Sequence, residues 1–140
     1  MHVIVCVDSK DGMLFHHRRQ SMDRVLRERI LALCGAHVLW MNTYSAGQFA
    51  EKEHARLRVD DRFLALAGEG DYCFVEDQAI EPFLDRIEDF ILFCWNRVYP
   101  ADQYFDRSLL EGGWTLRETE KFSGSSHAKI TKEVYRKCRE

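Results

Sequence analysis

The chain has 140 residues, 46% of them hydrophobic, with 20 lysines and arginines against 23 aspartates and glutamates. That is enough length and apolar content for one domain with a core, and it excludes an intrinsically disordered chain. A net charge of −3 excludes a global basic field, so a polyanionic partner has to meet a local patch.

No apolar run approaches the length of a membrane span, and "HVIVCV" is too short for a signal peptide, so no membrane partner is expected. The five cysteines are odd in number and form no C-x-x-C. Four lie inside apolar stretches, as small core residues do. The expected setting is a reducing cytoplasm without a disulfide framework.

In chain order, "HVIVCV" (2–7) is a continuous apolar run, the pattern of a strand covered on both faces. A helix follows from Ser21, read as the N-cap, with Met22, Val25, Leu26, Ile30 and Leu33 at helical spacing and Gly35 as its stop. "HVLWM" (37–41) is a second buried strand. Helical segments are expected over 45–53, capped by Ser45, and over 59–68, with Asp60 near the start and Gly68 as the stop. "YCFV" (72–75) is a third buried strand, "QAIEPFLDRI" (78–87) a helical segment weakened by Pro82, and "FILFCW" (90–95) a fourth strand. After Trp114 continuous apolar runs give way to alternation: residues 114–120 and 129–136 read as an antiparallel pair around the turn "KFSGSS". The expected class is a single α/β domain, residues 1–140, with a mainly parallel twisted sheet and an antiparallel C-terminal hairpin at its edge.

Between the first strand and the first helix stand two doublets, His16-His17 and Arg18-Arg19. Adjacent histidines point apart, which makes them poor joint ligands of a metal. As an exposed loop, this segment is expected to grip an acidic partner while both arginines add little to stability.

The order of a strand, a loop, a helix start with an acid, "LWMN", "FVED", "FILFCWNRVYPADQYFD" and "GWTL" resembles dihydrofolate reductase over nearly the whole chain. The resemblance implies a first strand leading into an active-site loop and a helix whose first turn bears the catalytic acid. Asp23 stands where that acid would be. "YPADQYF" looks like the family's acidic turn before an aromatic residue, and "GW" like the start of its penultimate strand.

That family holds NADPH through a Gly-Arg-x-Thr-like turn after the second strand and a Gly-Gly pair after a later one. Here the first position reads "MNTYS" and the second "FVED". Glu76 and Asp77 would put two carboxylates where glycines let a backbone approach a pyrophosphate. At ~4 Å and an effective dielectric of about 20, each like-charge contact costs roughly 4 kcal/mol. The segment between "MNTYS" and "YCFV" also looks too short for the strands that carry the adenosine end. The expectation is therefore no cofactor, NADPH being disfavoured by these two positions.

Ligands of open α/β sheets bind beyond the carboxyl ends of the strands. Those ends supply Asp8, Asn42 with Tyr44, Glu76 with Asp77, and Asn96 with Arg97, overlooked by Asp23 and His16 to Arg19. Three function classes follow. The favoured one is a repurposed, cofactor-less binding or regulatory protein, of the kind that mobile elements carry as accessory (including anti-CRISPR) proteins, using the basic loop on a protein or RNA. The second is a phosphodiester-directed, metal-dependent nuclease in which Asp8, Asp23, Glu76 and Asp77 hold a divalent ion. The third is a genuine NAD(P)H reductase with Asp23 as its acid. "SGSSH" (123–127) invites a nucleophile reading, but the G-x-S-x-G elbow is absent and a hairpin loop accounts for it.

Overall fold

The computed structural model describes residues 1–138. Strand β1, His2–Val7, runs parallel between β6, Tyr72–Phe74, and β7, Asp89–Cys94. On the β6 side follow β4, Leu39–Met41, and β5, Leu57–Val59, both parallel. On the β7 side the direction reverses through β10, Ile130–Lys137, and β9, Trp114–Phe122. The seven-stranded order is β5-β4-β6-β1-β7-β10-β9.

The continuous apolar runs are explained by two cores, one on each face. Ile4, Met41, Phe74, Ile91 and Phe93 pack on helix α1, Arg24–Cys34, through its Leu26, Ile30, Leu31 and Cys34. Their strand neighbours Val3, Val5, Val7, Cys73, Phe90 and Leu92 face away, onto Phe63, Leu64, Ile80, Ile87, Phe105 and Leu110. Truncating a residue as enclosed as Ile30 to alanine costs about 2–5 kcal/mol. Burial also pushes the Cys34, Cys73 and Cys94 thiols up to about 12, and all five cysteines are free.

Several expected elements shift, each for a local reason. Helix α1 is capped by Asp23, not Ser21: Asp23 Oδ1 accepts the Leu26 N–H at 3.0 Å. The carboxylate wins because it also collects donors from residues 125–127, as described below. Gly35, at φ 55°, ends the helix and returns its N–H to Leu31 O. The helix expected over 45–53 breaks in two. Asn42 captures the Ser45 N–H at 2.9 Å and starts α2, Thr43–Ala46, early; a 3-10 segment, Glu51–Arg56, follows. The helix expected over 59–68 starts late: Val59 ends edge strand β5, Leu57–Val59, and only α3, Phe63–Leu66, is helical in that stretch. The segment with Pro82 winds as a 3-10 helix, Glu81–Arg86.

The largest departure is the basic loop. It is no loose arm but a hairpin of β2, Gly12–Phe15, and β3, Arg18–Arg19, extended into a three-stranded sheet by β8, Gln103–Tyr104. Phe15 pairs with Arg18 and Leu14 with Arg19, so His16 and His17 are the two turn residues. Their φ values, 51° and 63°, are those a two-residue primed turn demands and side-chain-bearing residues resist.

Candidate functional site

Where β1 ends, Asp8 ties the hairpin to the chain beyond β7. Its Oδ1 accepts the N–H groups of Lys10 and Gly12, both at 2.8 Å. Its Oδ2 accepts from Gln20 Nε2 at 3.0 Å and Tyr99 N at 3.2 Å. Burial alone would raise its pKa, but these donors outweigh it and hold the carboxyl below the ordinary range. Gly12 is required here, because a Cβ would stand 2.7 Å from Asp8 Oδ2.

At the end of β6, Glu76 receives Arg19 in a two-point grip, Nε at 2.9 Å and Nη2 at 3.1 Å. The guanidinium lies over the Tyr44 ring, 4.3 Å from its centroid, and also donates to Tyr44 O. The Tyr44 hydroxyl accepts the Arg19 backbone N–H at 2.7 Å. Burial disfavours the Arg19 charge, but the hydrogen bonds and field of Glu76 more than restore it. The side chains are only 18% and 9% exposed, so this pair belongs to the body of the fold. Arg19 is thus not the free cation the sequence suggested, and its removal would leave a carboxylate unpaired.

Beside it, Asn42 Nδ2 donates to Asp77 Oδ1 at 2.8 Å, linking the ends of β4 and β6. Asn96, at φ 60°, donates to Lys129 O and Thr131 Oγ1, fastening β7 to β10; Arg97 is exposed next to it. His16, His17 and Arg18 are exposed at the hairpin tip.

Asp23 caps α1 from a buried position. Its side chain is fully enclosed and is not on the wall of the strand-end cleft. Besides Leu26 N, it accepts from Ser125 N at 3.0 Å, Ser126 N at 2.8 Å and His127 Nδ1 at 3.0 Å. Burial opposes the charge, yet the His127 and backbone donors drive its pKa well below the ordinary carboxylate range. The resemblance placed a proton-donating acid here; the fold uses a clasp that is ionised at neutral pH. Gly124 makes the clasp fit, since a Cβ there would lie 2.3 Å from Asp23 Oδ2.

The four carboxylates expected around a metal are therefore distributed, not gathered. Asp8 holds backbone amides, Asp23 the 125–127 turn, Glu76 Arg19 and Asp77 Asn42. Among the described residues no three His, Cys, Asp or Glu side chains are disposed to hold a metal ion.

Two depressions flank the hairpin. A narrow cleft lies over the ends of β1, β6 and β7, with about 20 Å³ of enclosed room behind a solvent-open mouth. Ser21, Gln48, Leu26, Ile30, Phe74 and Trp95 form part of its wall. An open groove of about 840 Å³ lies between the hairpin and residues 99–100, lined by Phe15, His16, Arg18, Gln20, Tyr99 and Pro100. The sequence reading missed Ser21, Gln20, Gln48, Tyr99 and His127. No local signal marks His127: it meets Asp23 across 104 positions of chain.

No protein-family model and no curated protein sequence matches this chain. Among solved structures it is similar to a dihydrofolate reductase from Enterococcus faecalis, complexed with NADP(H) and RAB-propyl. The TM-score is 0.65 over 97% of this chain and 95% of that one, at 8% identity. The fold is therefore dihydrofolate-reductase-like and its sequence divergent. No helix among the described residues is long and apolar enough to cross a membrane.

Proposed function

We propose that the chain is a cofactor-less binding protein on this reductase-like scaffold, taking single-stranded RNA in the groove beside the hairpin and acting through that partner. One observation carries the reading. The groove sets the Arg18 cation beside the exposed Phe15 ring and the half-buried Tyr99 ring, with the His16 ring 3.9 Å from that of Phe15. Basic and aromatic side chains alternating along an open groove suit a strand whose phosphates meet the charges and whose bases stack on the rings. An acidic peptide would use the charges and leave the rings idle.

The two competing readings lose support from the same geometry. A reductase needs an acid facing its substrate, and the Asp23 carboxylate faces the 125–127 turn. A metal-dependent nuclease needs gathered carboxylates, and each of these four has its own protein donor. Against NADPH stand Glu76 and Asp77, whose bulk occupies the point where the family's glycines would admit a pyrophosphate.

Fluorescence anisotropy of a labelled single-stranded RNA, measured at low and high salt, tests the proposal. Binding that weakens with salt, and weakens further in Arg18→Ala, supports it. No binding at any salt refutes it, and binding of an acidic peptide in place of RNA would make the partner a protein.

A further inference from the structure

We propose that Ser21, His127 and Asp23 form a nucleophile, base and positioning acid that hydrolyse short carboxylic esters in the strand-end cleft. The Asp23 Oδ2 to His127 Nδ1 distance is 3.0 Å, and His127 Nε2 to Ser21 Oγ is 2.9 Å. An ionised carboxylate only accepts hydrogen bonds, so the imidazole proton is on Nδ1 and Nε2 is left as the base. This is the geometry of a serine–histidine–aspartate relay, in which roles follow from distances and not from chain order. His127 is held in place on two sides, by the Asp23 clasp and by the Trp95 ring stacked on it at 4.4 Å and 26°.

A capping network alone accounts for Asp23 and the 125–127 turn. It gives no reason for a serine hydroxyl at the far end of the relay, on the wall of a cleft. Leu26, Ile30, Phe74 and Trp95 make that wall apolar, and its enclosed room of about 20 Å³ limits the acyl group to about the size of an acetyl. Gln48 Nε2, buried on the same wall, has no hydrogen-bond partner among the described residues. A donor kept unpaired in this position fits the carbonyl oxygen that becomes negative during acyl transfer.

The step is balanced within these groups and water. Ser21 Oγ attacks the ester carbonyl carbon as its proton passes to His127 Nε2. The carbon–oxygen bond to the alcohol then breaks, and Nε2 returns that proton to the departing oxygen. Water, deprotonated by the same nitrogen, attacks the acyl–serine carbonyl and releases the acid, and the proton goes back to Oγ. Tyr99 adds a control: its hydroxyl is 3.1 Å from Nε2 and competes with Ser21 for that single lone pair.

Ser21 lies on the inner cleft and the RNA-binding reading rests on Arg18, His16 and Phe15 of the outer groove, so either can fail without the other. The test treats the whole chain with a fluorophosphonate probe, maps adducts by peptide mass spectrometry, and follows hydrolysis of p-nitrophenyl acetate. We expect an adduct on Ser21. Ser21→Ala should lose labelling there and about a hundredfold or more in hydrolysis, with circular dichroism unchanged. Tyr99→Phe, which frees Nε2 for Ser21 alone, should speed labelling several-fold. An unlabelled Ser21, hydrolysis equal in Ser21→Ala and wild type, or labelling indifferent to Tyr99→Phe would each overturn the proposal.

Discussion

Replacing Asp23 with alanine removes the group that makes most of the bonds between the start of α1 and the turn before β10, leaving the Arg24 N–H to Ser125 Oγ bond. Loss of the cap on Leu26 N–H costs about 1 kcal/mol. The His127 Nδ1–H loses its acceptor in a buried site, a further cost of about 1–3 kcal/mol. Ser125 and Ser126 are exposed, so their amides rehydrate and add little. The expected total is about 3 kcal/mol at pH 7. With about 2.1 cal/mol/K of unfolding entropy per residue, that lowers the Tm by about 10 °C for this length. The pH dependence has a definite sign. Because the folded carboxyl is more acidic than in the unfolded chain, its contribution is complete above the unfolded value near 3.9. It declines by about 1.4 kcal/mol per pH unit below that, until the folded group itself protonates. Urea unfolding of both proteins at pH 7 and pH 3 measures this, and the gap between them should narrow at pH 3. A gap under about 1 kcal/mol at pH 7, or one that does not narrow in acid, would refute the clasp.

The two adjacent arginines should behave oppositely. Arg18→Ala leaves stability within about 0.5 kcal/mol, whereas Arg19→Ala strands Glu76 and costs about 3 kcal/mol, both read by chemical denaturation. Replacing His16-His17 with Asn-Gly suits the positive φ values and should stabilise the hairpin by about 1–2 kcal/mol, while weakening RNA binding if His16 lines the groove. NADPH fluorescence titration should show no micromolar binding, and a saturating signal in that range would overturn the cofactor-less reading. Were weak binding seen, Glu76→Gly with Asp77→Gly should strengthen it by removing charge and bulk, provided the unpaired Arg19 is tolerated.

Strand β1, β4, β6 and β7 were legible because each is an apolar run buried on both faces, and that pattern depends on neighbouring residues alone. The switch to alternation after Trp114 marked β9 and β10, although the edge strand β9 is exposed on both faces from Thr115 to Thr119. The basic doublets were equally visible, but not their geometry: two histidines without an Asn-Gly signal do not announce a primed turn, and the pairing with β8 joins residues far apart in the chain. Charges were read correctly as residues and wrongly as free groups. Whether a carboxylate grips a metal, an arginine or a row of amides depends on what the fold sets within about 3 Å of it. For Glu76 that is Arg19, for Asp8 the amides of Lys10, Gly12 and Tyr99, and for Asp23 the turn ending in His127. Local periodicity thus determined the layers and the sheet, because burial pattern is a short-range property. The partners of every ionised group, and with them the Ser21–His127–Asp23 relay, were decided only when the tertiary structure closed 104 residues of chain into one hydrogen bond.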